Sequence, residues 1–436
     1  MNIKTLISKN KGHITNSAFY MGASLASALI QLVLFPLQSK YLSHWDYAIV
    51  GYFGSFHQLV MPIMSFSLIN YYLRKYYMME EGKREKALNT ILFTLSIYGI
   101  VSMFIVLGVL WMYMKYNGID YTFWPYAFLS FLPIYFTNFY TLYQVRCRMT
   151  RNAKGYFKIT MVQTLLMPVF LVLLVVVFKF GAIGKLLSIL LPAIIVGCFA
   201  FKKLATPSLL RFDYAIIKDA VSFAWPLSVS TMLWYFCGGV DRALLAPLGD
   251  DYNLGLYNIG VMIAGHMSIF FTVLMQTFEP DIYQAIAEDN KRRLLKFILL
   301  VVSVNAVINF LFIAVCPFVM DLLTAHQYGE AASYTRIVTL KNITLSLYNI
   351  TNLIIIGYGF TKGSLGIRAV SALLSYAVYA VFISRWAFVG AAWGQVVSYV
   401  VMTIVALAYI YYLKMRGKLV IKERVSNNHD NNNQQG

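Results

Sequence analysis

Apolar runs of about 20 residues, the length a helix needs to cross a bilayer, recur along the whole of this chain. Twelve are found, near residues 14–37, 47–73, 87–114, 122–145, 156–178, 183–201, 220–240, 254–277, 295–317, 333–356, 365–384 and 390–413. Backbone amides in hydrocarbon find no water, so segments of this kind are tolerated as helices that bond internally. The composition agrees, with 59% hydrophobic and only 12% charged residues, where soluble domains carry roughly a quarter charged. An all-α polytopic membrane protein with twelve transmembrane helices is expected.

The chain also repeats itself. Glu80-Glu81-Gly82-Lys83-Arg84 returns as Glu288-Asp289-Asn290-Lys291-Arg292, each time leading into an apolar run. Asp46-Tyr47 with Tyr52 returns as Asp251-Tyr252 with Tyr257, and Gly181-Ala182-Ile183-Gly184 returns as Gly390-Ala391-Ala392-Trp393-Gly394. The offsets of 205 (Asp46 to Asp251), 208 (Glu80 to Glu288) and 210 (Gly184 to Gly394) residues give six spans per copy. An even span number starts both copies on the same side, so two six-helix bundles related by a pseudo-two-fold axis along the membrane normal are expected. The boundaries drawn are 1–210 and 211–413, followed by a disordered cytoplasmic tail at 414–436 that is rich in Asn and Gln.

Charge placement orients the chain. With the amino terminus and every second loop assigned to the cytoplasm, 28 of the 36 Lys and Arg residues fall on that side, which puts both termini there. The net charge of +18 is then a topology signal with some attraction to anionic headgroups, and it calls for no nucleic acid. Lys4, Lys9 and Lys11 ahead of the first run resemble a signal-peptide start, but the run is long and lacks a small-residue cleavage site, so it reads as an uncleaved span. The loops are too short for a soluble catalytic domain, so an enzyme is not expected. Cys147, Cys198, Cys237 and Cys316 are scattered, and the histidines show no metal-ligand spacing. Gly357-Tyr358-Gly359 lacks both a preceding strand and the Walker spacing, and no nucleotide is expected there.

Polar residues within the spans remain. Thr335, Thr339, Asn342, Ser346 and Asn349 share one face of the tenth span. Ser228, Thr231, Tyr235, Gly238 and Arg242 do so in the seventh, and Asn16, Tyr20, Ser24, Ser27 and Gln31 in the first. Such stripes either wall an aqueous path or join helices through hydrogen bonds. Lys341, well inside its span, costs on the order of 2.5 to 3.5 kcal/mol to insert, which marks it for function; Asp241 beside Arg242 offers a charge pair. Prolines at 36, 62, 133, 168, 192, 226, 247, 280 and 317 are placed to bend spans.

One segment carries a family resemblance. Trp225-Pro226-Leu227, Asp241-Arg242 and Gly255-Leu256-Tyr257, supported by Pro280-Asp281-Ile282-Tyr283, Tyr328 and the Gly390–Gly394 phrase, resemble the polysaccharide-export branch of the multidrug/oligosaccharidyl-lipid/polysaccharide flippase superfamily. The resemblance implies a MATE-like transporter fold. It also implies a flippase moving an undecaprenyl-pyrophosphate-linked oligosaccharide, an O-antigen, capsule or exopolysaccharide unit, across the bacterial inner membrane by alternating access. Polysaccharide polymerase machinery would be a partner. On this reading Arg242 and Lys341, with Arg336 and near Asp241, attract the pyrophosphate, while Asn342, Asn349, Gln31 and Tyr235 offer hydrogen bonds to sugar, and the lipid tail stays in a lateral gap between the bundles.

Two alternatives stay open. A drug/cation antiporter of the same superfamily commonly carries an acidic residue in its first span, and residues 14–37 hold none. A membrane-embedded glycan polymerase or ligase usually needs charge on a large periplasmic loop, and Asp321 to Ser333 hold no Lys or Arg. No cofactor or metal is expected; coupling to a proton or sodium gradient stays open, with Asp241 the carboxylate considered for it. Arg242 and Lys341 have no charged counterparts in the first copy, where the position of Lys341 falls on Pro133, so the anionic group is expected to be held mainly by the second bundle.

Overall fold

The computed structural model describes residues 30, 33–205, 212–288, 290–358 and 360–417, and no strand occurs among them. The helices are α1 (33–41), α2 (His44–Ser55), α3 (His57–Ser65), α4 (Leu68–Lys75), α5 (Glu81–Tyr116), α6 (Tyr126–Met149), α7 (Ala153–Leu171), α8 (Gly181–Leu204) and α9 (Tyr214–Gly238). They continue with α10 (Asp241–Leu245), α11 (Asp251–His266), α12 (Ser268–Ala287), α13 (Lys291–Leu323), α14 (Ala331–Gly357) and α15 (Thr361–Met415). Among the described residues, seven helices are long and apolar enough to cross a membrane.

Helix α13 shows why lipid is the solvent. Val307, Leu311, Val315, Phe318 and Leu322 are exposed along one face, whereas Asn305 and Asn309 are buried on the other. A water-soluble helix shows the reverse. Asn309 donates through Nδ2 to the Asn305 carbonyl at 2.8 Å, and Asn305 donates to the carbonyl of Asn342 on α14 at 3.2 Å. Asn342 in turn donates to the Ala264 carbonyl of α11 at 2.9 Å and to Asn309 Oδ1 at 3.2 Å. Three helices are thereby joined by amides, each bond contributing on the order of 0.6 kcal/mol.

Several spans are less regular than the sequence suggested. The run at 47–73 is three helical pieces: α2 gives way to α3 at Phe56, and Phe66 and Ser67 adopt left-handed conformations (φ 44° and 49°) that end α3 and start α4. Prolines do not set the breaks. Helices run on through Pro133, Pro192, Pro226 and Pro317, whereas the sharpest deviation in α15 is at Ala387 (φ 44°, ψ −121°), in the link between the runs expected at 365–384 and 390–413. A π-helical turn at Val172–Val177 extends α7.

The chain divides into two compact units, Met1–Met232 with Leu323–Gln327, and Leu233–Leu322 with Tyr328–Gly436. The division falls inside α9, later than the boundary expected at 210/211. The reason is packing: Ala220 and Ala224 of α9 belong to the first unit's core with Leu88, Leu92, Leu142 and Ala200. Polar contacts bind the same stretch, with Tyr71 donating to Asp219 at 2.8 Å and Ser228 to Ser67 at 3.0 Å. In the first unit α6 and α8 approach closely at Gly197, where a Cβ would stand 2.7 Å from the Phe136 carbonyl. The second unit is centred on Tyr348, Tyr399, Met402 and Ala406, with α14 and α15 packed together.

The doubled acidic-basic loops form local ion pairs. Lys83 meets Glu80 at 3.5 Å, and Arg293 reaches Glu288 at 3.0 Å and Asp281 at 3.7 Å. These are anchors at helix ends. Gly357 ends α14 and Tyr358 caps it.

Candidate functional site

In the second unit, α9 ends in a tight turn in which the amides of Gly239 and Val240 both donate to the Tyr235 carbonyl, at 2.8 and 3.0 Å. The chain then restarts as α10, whose first residue is Asp241. A carboxylate in a first helical turn is favoured by the helix dipole. Asp241 is fully buried, so its charge must be met by neighbours. Tyr257 of α11 donates its hydroxyl to Oδ2, and the Gln395 amide of α15 donates to the same oxygen at 2.6 Å and to the Tyr257 oxygen at 2.8 Å. Among the described residues Oδ1 accepts no hydrogen bond, and it lies 3.5 Å from an amino nitrogen of Arg242.

Arg242 is held twice, by Asp241 and by its Nε donating to Asn258 Oδ1 at 2.6 Å. Its side chain is 13% exposed. Lys341 of α14 lies within electrostatic range of both Arg242 and Asp241, and no ion pair forms at its ammonium among the described residues. Two cations therefore lie within electrostatic range of one buried carboxylate, and only Arg242 pairs with it. An arrangement with a spare positive charge favours an anionic visitor.

The other predicted residues fall into distinct settings. Tyr235 is buried beneath the turn, Asn349 is half-buried and Arg336 is exposed. Gln31, with the rest of the first-span stripe, lies outside the described residues. The tenth-span stripe does not wall an aqueous path: Thr335, Thr339, Asn342 and Ser346 are all buried. Thr335 and Thr339 donate to the carbonyls of Ala331 and Thr335 at 2.8 and 2.7 Å, and Ser346 to that of Ile343 at 2.7 Å. Their hydroxyls are satisfied within their own helix, and Asn342 joins helices. Four-and-three spacing places residues on one face, but only packing decides whether that face meets water or protein.

Sequence reasoning missed Gln395, Asn258 and Lys185. Lys185 of α8 is buried and donates to Gln38, itself buried at the end of α1. It follows Gly184 as Gln395 follows Gly394, and the repeat was the signal that marked both. Buried positive charge is therefore not confined to the second unit. The repeated tyrosine differs between the copies: Tyr257 binds Asp241, whereas Tyr52 is buried among Phe53, Phe56 and Tyr121 and its hydroxyl has no acidic partner among the described residues.

Comparison with known proteins completes the picture. The family described as polysaccharide biosynthesis protein matches residues 14–280. A Haemophilus influenzae relative, Lsg locus putative protein 1, is 24% identical over 93% of this chain and 95% of its own. Two solved structures are similar in fold. Lipid II flippase MurJ in an inward closed conformation has a TM-score of 0.68 at 11% identity, covering 90% of this chain and 87% of its own. An inward-facing multidrug resistance MATE family transporter of the MOP superfamily has 0.64 at 15%, covering 89% and 96%. At these identities the structures speak for the fold.

Proposed function

Because the chain belongs to the polysaccharide biosynthesis protein family, we propose that it is a flippase for undecaprenyl-pyrophosphate-linked oligosaccharide units of the O-antigen, capsule or exopolysaccharide type. It moves them from the cytoplasmic to the periplasmic leaflet of a bacterial inner membrane, and polymerase machinery then uses them. The observation that carries this reading is that Arg242, paired with the buried carboxylate of Asp241, and Lys341, which forms no ion pair among the described residues, lie within electrostatic range of each other. Pyrophosphate is the group such a cluster suits: arginine offers a fork of donors, lysine a compact charge. The MurJ structure is that of a flippase for lipid II, and likeness of fold to it supports a lipid-borne cargo here.

In this assignment Arg242 and Lys341 bind the anionic headgroup. Asp241, Tyr257, Gln395 and Asn258 position the arginine, Arg336 has a weaker part in attracting the pyrophosphate, and Asn349, Tyr235 and Gln31 are candidates for contacts with sugar. Asn342 is left to helix joining, since its amide already donates twice within the protein. Asp241 acts as the arginine's counter-charge, and any proton or sodium coupling would have to pass through a carboxylate already held by Tyr257 and Gln395.

The test is deletion of the gene followed by mass analysis of lipid-linked intermediates, with complementation by Arg242→Gln, Lys341→Gln and the double variant. Charged hydrogen bonds contribute about 1.5 to 3 kcal/mol each, so each single change should weaken headgroup binding roughly 10- to 100-fold and leave undecaprenyl-linked units accumulated inside. Normal surface glycan from the double variant at wild-type protein level would refute the assignment. Unchanged glycan on deletion, with altered drug sensitivity, would favour the antiporter.

A further inference from the structure

A second feature stands apart from that cluster, in the first unit. Helix α6 ends at Met149, α7 begins at Ala153 and α8 ends at Leu204, so α7, antiparallel to α6 and α8, has its start beside their ends. These ends are basic. Arg146, Arg148, Arg151, Lys154 and Lys158 stand on one stretch and Lys202 and Lys203 on another, and no carboxylate occurs in 146–158 or 202–205.

Directly inward of this basic rim lies a groove of about 510 Å³. Lys158 and Lys203 stand at its mouth, and Ile159, Val162, Ile195 and Phe199 form its walls. Val162 and Ile195 lie one helical turn inward from Lys158 and Phe199, so polarity changes from cationic to apolar within about 5 to 6 Å. The wall residues Val162, Ile195 and Phe199 are 40%, 47% and 48% exposed, so the groove is open along its length. The Lys203 ammonium lies 5.8 Å from the Phe199 ring centre, which keeps the charge at the mouth.

A soluble anion has no use for the apolar walls, and a neutral lipid leaves the rim uncompensated. An amphiphile with one negative headgroup and a hydrocarbon chain satisfies both. Basic pockets between spans, at the level of the headgroups, are suited to anionic lipids in this way. We propose that this groove between α6, α7 and α8 binds an anionic glycerophospholipid of the surrounding bilayer, its phosphate between Lys158 and Lys203 and one acyl chain along Val162, Ile195 and Phe199. The leaflet supplies this lipid in excess, so occupancy is set by mass action.

The purified full chain, in detergent, is mixed with phosphatidylglycerol, phosphatidylcholine or polyisoprenyl phosphate, and retained lipid is counted by native mass spectrometry. Wild type should hold phosphatidylglycerol about tenfold or more over phosphatidylcholine. Lys158→Gln with Lys203→Gln should abolish that preference, and the matching pair of arginine substitutions should keep it. Ile195→Trp, which fills the groove at a position already exposed, should displace phosphatidylglycerol while the protein stays monodisperse. Equal retention of the two phospholipids by wild type, or a preference untouched by the glutamine pair, would overturn the proposal. So would stronger, lysine-dependent retention of polyisoprenyl phosphate, which would give the groove to the transported cargo.

Discussion

At the scale of single residues, Asp241 shows how a buried carboxylate is accommodated. Three neighbours from different parts of the chain, Arg242, Tyr257 and Gln395, meet it, and only the first is adjacent in sequence. Packing beneath it is equally close. A Cβ on Gly238 would stand 2.5 Å from the Tyr399 hydroxyl oxygen, with the rest of that side chain buried. Gly238→Ala should therefore destabilise the second unit by about 1 to 3 kcal/mol, the usual cost of overpacking. Adding Tyr399→Phe, which removes the colliding atom, should restore most of it. Thermal unfolding of the four proteins in detergent measures both effects, and a loss unrelieved by the second change would show that the collision is not the cause. The residue types at Asp241 and Arg242 could be read from the chain; that Gln395 and Asn258 would be their partners could not, because those contacts span 154 and 16 residues.

At the scale of elements, stripes of small polar residues proved the least decisive signal. The tenth-span stripe was legible as one face of a helix, and α14 has that helix, but the face is turned into the protein. The asparagines on α13 are what it meets. Replacing Asn305 and Asn309 together by leucine removes the bonds to Asn342 and to each other, and leaves one side-chain N–H of the buried Asn342 without its acceptor. At about 0.6 kcal/mol per interhelical bond, up to about 1.7, the pair should lower stability by roughly 1 to 3 kcal/mol while Arg242 and Lys341 keep their places. Unfolding in urea, read beside export of glycan, separates the two: reduced stability with export retained is expected. Complete loss of export at full protein level would mean that the network belongs to the transport path. The helix breaks at Phe66, Ser67 and Ala387 were not legible, since nothing in those side chains favours a left-handed backbone.

At the scale of the whole molecule, the repeat and the charge bias are the two global statements the chain makes. The positive bias predicts both termini in the cytoplasm. Reporter fusions test it directly. Phosphatase fused in the link between α5 and α6, or between α7 and α8, should be active, and a fluorescent protein after residue 417 should fold and glow. An active phosphatase after residue 417 would contradict either the orientation or the even span number, and the fusions in the two links would say which. The division into units inside α9 adds a detail the repeat did not give, because a repeat boundary marks where a copy begins, whereas a compact unit is defined by which residues bury one another's apolar surface. The first half of α9 buries Ala220 and Ala224 against the first unit, and so belongs to it.

The sequence by itself determined the solvent, the helical class, the repeat and the placing of Asp241 and Arg242 at the end of one apolar run and of Lys341 within another. Each of these follows from composition, period or the high cost of a charge in hydrocarbon, and none requires distant residues to meet. Only the tertiary structure decided which polar faces are satisfied inside the protein, that Lys185 is buried against Gln38, and that Arg242 pairs with a carboxylate held by Tyr257 and Gln395, with Lys341 in electrostatic range. Those outcomes depend on which helices pack together, and a helical period fixes the face a residue occupies without fixing what that face will touch.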